Sequence, residues 1–199
     1  MSERRTRDRL IAGVLFAGLL TPGAASAHLI STGFGPLYDG LAHPFLSPGD
    51  LLPVLALAAW GGLLGPLHAR WVVLLLPVAW LLGGLAGLAM PASRMLMGAE
   101  LVGAVLLGVA AAANLGASRS LLLAVAGVLG LLHGLGATAG EEGSLIAVFG
   151  SAVTVAACYA LVAGQVASLR MDWMRIATRA LCSWTAAIGL LQLGWMWKG

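Results

Sequence analysis

Charge is scarce in this chain: Asp, Glu, Lys and Arg make up 10% of its 199 residues, against 60% apolar types. With a mean hydropathy of +0.95, that balance excludes a soluble domain and marks an integral membrane protein with no room for a separate water-soluble unit. Cysteine is almost absent. The two present, Cys158 and Cys182, both fall in apolar stretches, which excludes a disulfide framework. Basic residues cluster where they build no surface: Arg4, Arg5, Arg7 and Arg9 are four of the eleven Lys and Arg, so no nucleic-acid patch remains. There is no nucleotide-binding motif, so any transport would be passive or ion-coupled. Nor is there a nucleophile elbow or a two-histidine zinc-protease pattern, which argues against an intramembrane hydrolase and against an enzyme generally.

What is present is an all-α pattern. Apolar runs long enough to cross about 30 Å of hydrocarbon predict a polytopic bundle of six transmembrane helices. Residues 1–27 form an export signal, with its basic start, apolar Leu10 to Leu20, a Pro22-Gly23 break and a small-residue Ala25-Ser26-Ala27 end. Cleavage after Ala27 leaves His28 as the first residue of a 28–199 membrane domain; without cleavage the segment is an extra helix and the later topology is unchanged. Residues 28–49, rich in Gly and Pro, predict an outer loop or a short interfacial helix against the bundle. The spans then run from Asp50 or Leu51 to about Gly65, Trp71 to Met90, Met95 to Ala113, Leu121 to about Ala137, Ser144 to Ser168, and Ile176 to Trp197.

Loop charge orients the bundle, because cytoplasmic loops carry the Lys and Arg excess. One side receives Arg70, Arg119, Arg170, Arg175 and Arg179; the other has Arg94 and Lys198 with Asp39, Asp50, Glu141 and Glu142. The expected placement is a bacterial inner membrane with both mature termini periplasmic. Small residues mark helix contacts, since only close backbone approach gains much inside lipid: Gly83, Gly84 and Gly87 in the second span, and Gly127, Gly130 and Gly134 in the fourth.

Glu100 and His133 are the polar groups that this composition does not explain. A carboxylate held in hydrocarbon costs several kcal/mol, about 2.5–3.5 on insertion scales, and is normally turned inward to a partner. The helix rise puts Glu100 about 10 Å, and His133 about 7 Å, below the outer ends of their spans, so their depths match. Asp50 opens the first span and is either a ligand or a simple N-terminal helix cap. His43 lies in the outer segment, and Glu141 and Glu142 follow the fourth span as a weak funnel or a solvated turn. His28, if it carries a free α-amine, is a further weak donor. His43, Asp50, Glu100 and His133 are thus the candidate metal ligands, with His28, Glu141 and Glu142 behind them. Carboxylate and imidazole suit Ni²⁺, Co²⁺ or Zn²⁺; Cu²⁺ is a further option, whereas thiolates would favour Cu(I).

At these residues the chain resembles the HupE/UreJ family, regarded as nickel or cobalt permeases that accompany hydrogenases and ureases. In AHPFLSPGDLLPVLALAAW, His43 and Pro44 match the family's His-Pro, while Gly49 and Asp50 stand where it has an Asp-His pair. In MPASRMLMGAELVGAVLLGVAAAA, Glu100 falls on the family's glutamate. In LLHGLGATAGEE, His133 and Gly134 match, Ala137 replaces a second histidine, and Glu141 is one position late. The likeness is to a histidine-poor branch. It implies a secondary permease or binding protein for a divalent transition-metal ion entering from the periplasmic side, with no tightly bound cofactor; the alternative is a non-transporting accessory protein that holds a metalloenzyme assembly partner through its outer loop. The bilayer is the other partner, and the oligomeric state is left open.

Overall fold

In the computed structural model, residues 32–138 and 144–198 are described. The expected signal, His28, Glu141 and Glu142 lie outside them. Inside hydrocarbon every backbone N–H and C=O needs a partner in its own segment or sheet, and all regular structure among the described residues is helical. In order these are α1 (Pro36–Leu46), α2 (Pro48–Leu64), α3 (Pro66–Ala69), α4 (Val72–Gly87), α5 (Arg94–Ala112), α6 (Arg119–Gly136), α7 (Leu145–Ala167) and α8 (Asp172–Lys198).

Local chemistry sets the boundaries. Gly35 and Gly65 precede prolines that open α1 and α3, and both take a left-handed φ, +98° and +105°, that an L side chain would resist. The hydroxyls of Ser118 and Ser144 accept from Leu121 N and Ile146 N at 3.2 Å, capping α6 and α7. Asn114, at φ 51°, stops the chain just beyond α5.

Among the described residues, five segments are long and apolar enough to cross a membrane: Pro66–Gly87 (α3 with α4), α5, α6, α7 and α8. The remaining expected span, from Asp50 or Leu51 to about Gly65, is α2, and α1 is the short helix expected within 28–49; only as a bent pair do the two reach the length and hydropathy of a sixth span. α1 and α2 meet at 72° around Ser47, whose φ −113°, ψ 85° is not helical and which precedes Pro48; a proline disfavours helix in the residue before it and lacks the N–H to continue the ladder. α2 itself has 17 residues, about 25 Å at 1.5 Å per residue, short of a 30 Å core. α8 starts at Asp172, four residues earlier than the apolar pattern indicated, with an acid in its first turn that complements the helix dipole.

α2 forms the centre. It packs against α1, α3, α5, α6, α7 and α8, and Val54, Leu57, Ala58 and Trp60 are buried, as expected of a helix apolar on every side. Trp60 Nε1–H donates to Leu115 O at 2.8 Å. The outer faces are aliphatic and aromatic, for example Leu74, Val78, Leu82 and Leu85 on α4 and Trp184, Leu191 and Trp195 on α8.

Glycines decide which helices touch. A Cβ on Gly83 or Gly87 would strike backbone of α6, and one on Gly130 or Gly134 would strike backbone of α4. Gly84 faces Val148 of α7, with 2.5 Å left for a Cβ. Gly127 departs from the expected set, because its Cβ would meet only Leu75 Cδ2 at 4.0 Å. Gly108 and Gly189 do the same work between α5 and α8, and Gly40 and Gly150 lock α1 to α7, where Thr154 Oγ1 also donates to Leu41 O at 2.9 Å.

Three arginines tie helix ends together. Arg175 Nη2 donates to Leu63 O at 3.0 Å and Arg179 Nε to Ala112 O at 2.8 Å, so the first turns of α8 cap the C-termini of α2 and α5. At the opposite end, Arg94 Nη2 donates to Met196 O of α8 at 3.0 Å. A cation at a helix C-terminus satisfies free carbonyls and complements the dipole.

Candidate functional site

The bend at Ser47 folds the last turn of α1 back over the first turn of α2, which brings His43 beside Asp50. His43 Nε2 lies 3.3 Å from Asp50 Oδ2. From α6, His133 Nδ1 lies 3.1 Å from Asp50 Oδ1. One mostly buried carboxylate therefore lies between two imidazoles from two other helices. Asp50 makes no side-chain cap of α2; its oxygens face the imidazoles instead.

His133 is 3% exposed and is held on its other side by Trp80. The two rings stack at 6.2 Å between centroids and 15° between planes, within the range of favourable offset aromatic contacts. Trp80 is fully buried and its Nε1–H donates to Ser151 Oγ at 3.2 Å, which fixes the indole and through it the imidazole. Gly134, next to His133, lets the Trp80 backbone close in. Thr138 Oγ1 donates to Gly84 O at 2.8 Å, joining α6 to α4 just past the site.

Glu100 comes from α5. Its carboxyl group presses against Gly136 of α6, where any side chain would collide with it. That is one turn along from His133, and Glu100 is within Coulombic reach of both His133 and Asp50. The four candidate ligands of the described residues thus gather at one end of the bundle, while His68 lies toward the other on α3. Cys158 and Cys182 are free thiols on α7 and α8, with Cys182 buried.

Among the described residues, two buried polar atoms here make no hydrogen bond: His43 Nε2, whose 3.3 Å approach to Asp50 Oδ2 is an ion-pair contact outside hydrogen-bond geometry, and Glu100 Oε1. An unsatisfied buried polar atom typically costs about 1–3 kcal/mol, so two at one end mark a place where a cation or water would be welcome. If His133 donates its Nδ1–H to Asp50, its Nε2 keeps a lone pair; carboxylate-oriented imidazoles of this kind are common around metal ions. Among the described residues, however, no three His, Cys, Asp or Glu side chains close on a common point as a metal cage. Asp50 and His133 are directed at each other, so full ligation requires at least one side chain to turn.

Sequence reasoning did not single out Trp80, Ser151 or Gly136. Trp80 precedes the Gly83-Gly84 pair by three and four residues, on the same face of α4, and that spacing is the signal that could have found it. Gly136 is the second glycine of the His133-Gly134-Leu135-Gly136 run.

Fold and site together define a multi-pass helical membrane protein with a buried carboxylate–imidazole cluster near one end of its bundle. The family model described as HupE / UreJ protein matches residues 15–192, and the chain belongs to that family. It is a membrane family associated with nickel/cobalt transport or accessory roles, and not an enzyme family. Neither a curated protein nor a solved structure matches the chain.

Proposed function

We propose that the protein admits a divalent transition-metal ion, nickel- or cobalt-like, into the bacterial inner membrane from the periplasmic side, with the Asp50 end as the mouth. The observation that carries this reading is the Asp50 carboxylate between His43 and His133, with Glu100 beside them and its buried Oε1 without a hydrogen bond among the described residues. Orientation follows from the bases: Arg70, Arg119, Arg170, Arg175 and Arg179 are at the end away from Asp50, which the positive-inside rule places in the cytoplasm.

An arriving ion sheds part of its water. His133 Nε2 and the Glu100 carboxylate replace that water, while Asp50 holds the imidazole in orientation or rotates to ligate. The set is sparse in nitrogen, which suits a site that must also release its cargo. Ni²⁺ and Co²⁺ are the leading substrates and Zn²⁺ and Cu²⁺ the others to test. His28, Glu141 and Glu142 complete the proposal as weaker candidate donors. The test is ion accumulation in cells: wild type should exceed Glu100→Gln and His133→Ala, and accumulation equal in wild type and variants for each of Ni²⁺, Co²⁺, Zn²⁺ and Cu²⁺ would remove the reading.

A second reading has its own observation. α1 and the turn before it expose Phe34, Tyr38 and Phe45, and the described donors form no ready cage, as suits an accessory protein that holds a metalloenzyme assembly partner through residues 28–49. Deleting that segment then abolishes function, whereas Glu100→Gln leaves it intact.

A further inference from the structure

At the end of the bundle away from Asp50, two cations converge on one indole. The guanidinium carbon of Arg70 is 5.7 Å, and that of Arg119 5.5 Å, from the Trp71 ring centroid. Each gains cation–π attraction, yet each repels the other. Arg94, Arg175 and Arg179 all donate to backbone carbonyls. Arg70 and Arg119 have neither a hydrogen bond nor an ion pair among the described residues.

Arg119 and the shared Trp71 indole line an open groove of about 510 Å³ together with Leu74, Leu75, Val78 and Leu123, and Arg70 reaches its edge through that indole. Its wall lies between α4 and α6 and is otherwise aliphatic, with Leu74 and Val78 more than half exposed. Both helices begin here, at caps Trp71 and Ser118, so their positive dipole ends add to the two guanidiniums. A soluble anion would have no use for the aliphatic wall, and a neutral chain no use for the cations.

We propose that this groove binds one anionic phospholipid, with its phosphodiester between Arg70 and Arg119 and an acyl chain along Leu74, Val78 and Leu123. Charge complementarity selects the headgroup, because a zwitterionic lipid would bring its own cation next to the arginines. Trp71 marks the headgroup level, as tryptophans do at membrane interfaces.

The test uses the full chain, delipidated in detergent and then supplied with phosphatidylglycerol, phosphatidylcholine or inorganic phosphate, with retained lipid read by native mass spectrometry and stability by thermal unfolding. Phosphatidylglycerol should be retained and should raise the unfolding temperature, whereas phosphatidylcholine and inorganic phosphate should do neither. Apparent affinity should fall roughly fivefold for each arginine removed, in Arg70→Gln and Arg119→Gln, as expected for a base near an anionic headgroup. Val78→Trp, which fills the groove and leaves both charges, should also release the lipid. Retention by the double arginine variant at the wild-type level, equal binding of phosphatidylcholine, an equal response to inorganic phosphate, or an unaffected Val78→Trp would each overturn the proposal.

Discussion

Asp50 Oδ1 and His133 Nδ1 lie 3.1 Å apart across 83 residues of sequence, joining the start of the central helix to the end of α6. The contact is local in space and remote in chain, so it forms only when α2 is seated among its neighbours. Removing the carboxylate in Asp50→Ala leaves a buried imidazole N–H without its acceptor, which should lower stability by about 1–3 kcal/mol. Asp50→Asn keeps an acceptor and should lose less. Thermal unfolding in detergent ranks the three proteins, and identical curves would show that the pair contributes nothing to folding.

Glu100 and Gly136 compete for one space. Gly136→Ala should displace the carboxylate and reduce ion accumulation as far as Glu100→Gln does, with the chain still inserted in the membrane. In a Glu100→Ala background the methyl group has room, so the two changes should be strongly non-additive, as expected of residues in contact. A double-mutant cycle on protein stability checks this independently of transport.

Trp80 supplies both a ring face for His133 and an N–H for Ser151. Trp80→Phe keeps the face and should be the milder change, whereas Trp80→Ala should cost about 3–5 kcal/mol, as large aromatic truncations do in a core. Ser151→Ala leaves the indole N–H unpaired and should fall between them. The order Phe, then Ser151→Ala, then Ala in unfolding temperature is the outcome to look for.

Two glycines of α6 that look alike in sequence should respond oppositely. Gly134→Ala drives a methyl group into the Trp80 backbone and should destabilise by about 1–3 kcal/mol through overpacking. Gly127→Ala meets only the Leu75 side chain at 4.0 Å and should gain up to about 1 kcal/mol of helix propensity. Equal effects at the two positions would refute the α4–α6 packing described above.

These examples also show where the sequence was readable. Apolar length and composition gave away the helices, and Gly130 and Gly134 gave away a contact, because in lipid close approach depends on small residues and leaves a pattern. The partner of that contact was not legible, since nothing in the chain pairs Gly134 with Trp80 until two helices are docked. The Gly and Pro of residues 28–49 marked a separate outer segment before the first span, but the 72° angle between α1 and α2 was not legible, because α1 is seated on α7 through Gly40 and Gly150. Asp50 carried two readings, cap or ligand, and only the fold shows its oxygens turned to His43 and His133. Arg175 and Arg179 were counted as loop charges, whereas their guanidiniums close the ends of α2 and α5.

The central helix has 17 residues against 27 in α8, and Asp50 sits in its first turn. Almost the whole length of α2 therefore separates Asp50 from the arginine-bearing end. Moving a charge through the membrane potential takes work in proportion to the fraction of the voltage crossed. For a cation resting beside Asp50, the remaining electrical work would fall along that one helix.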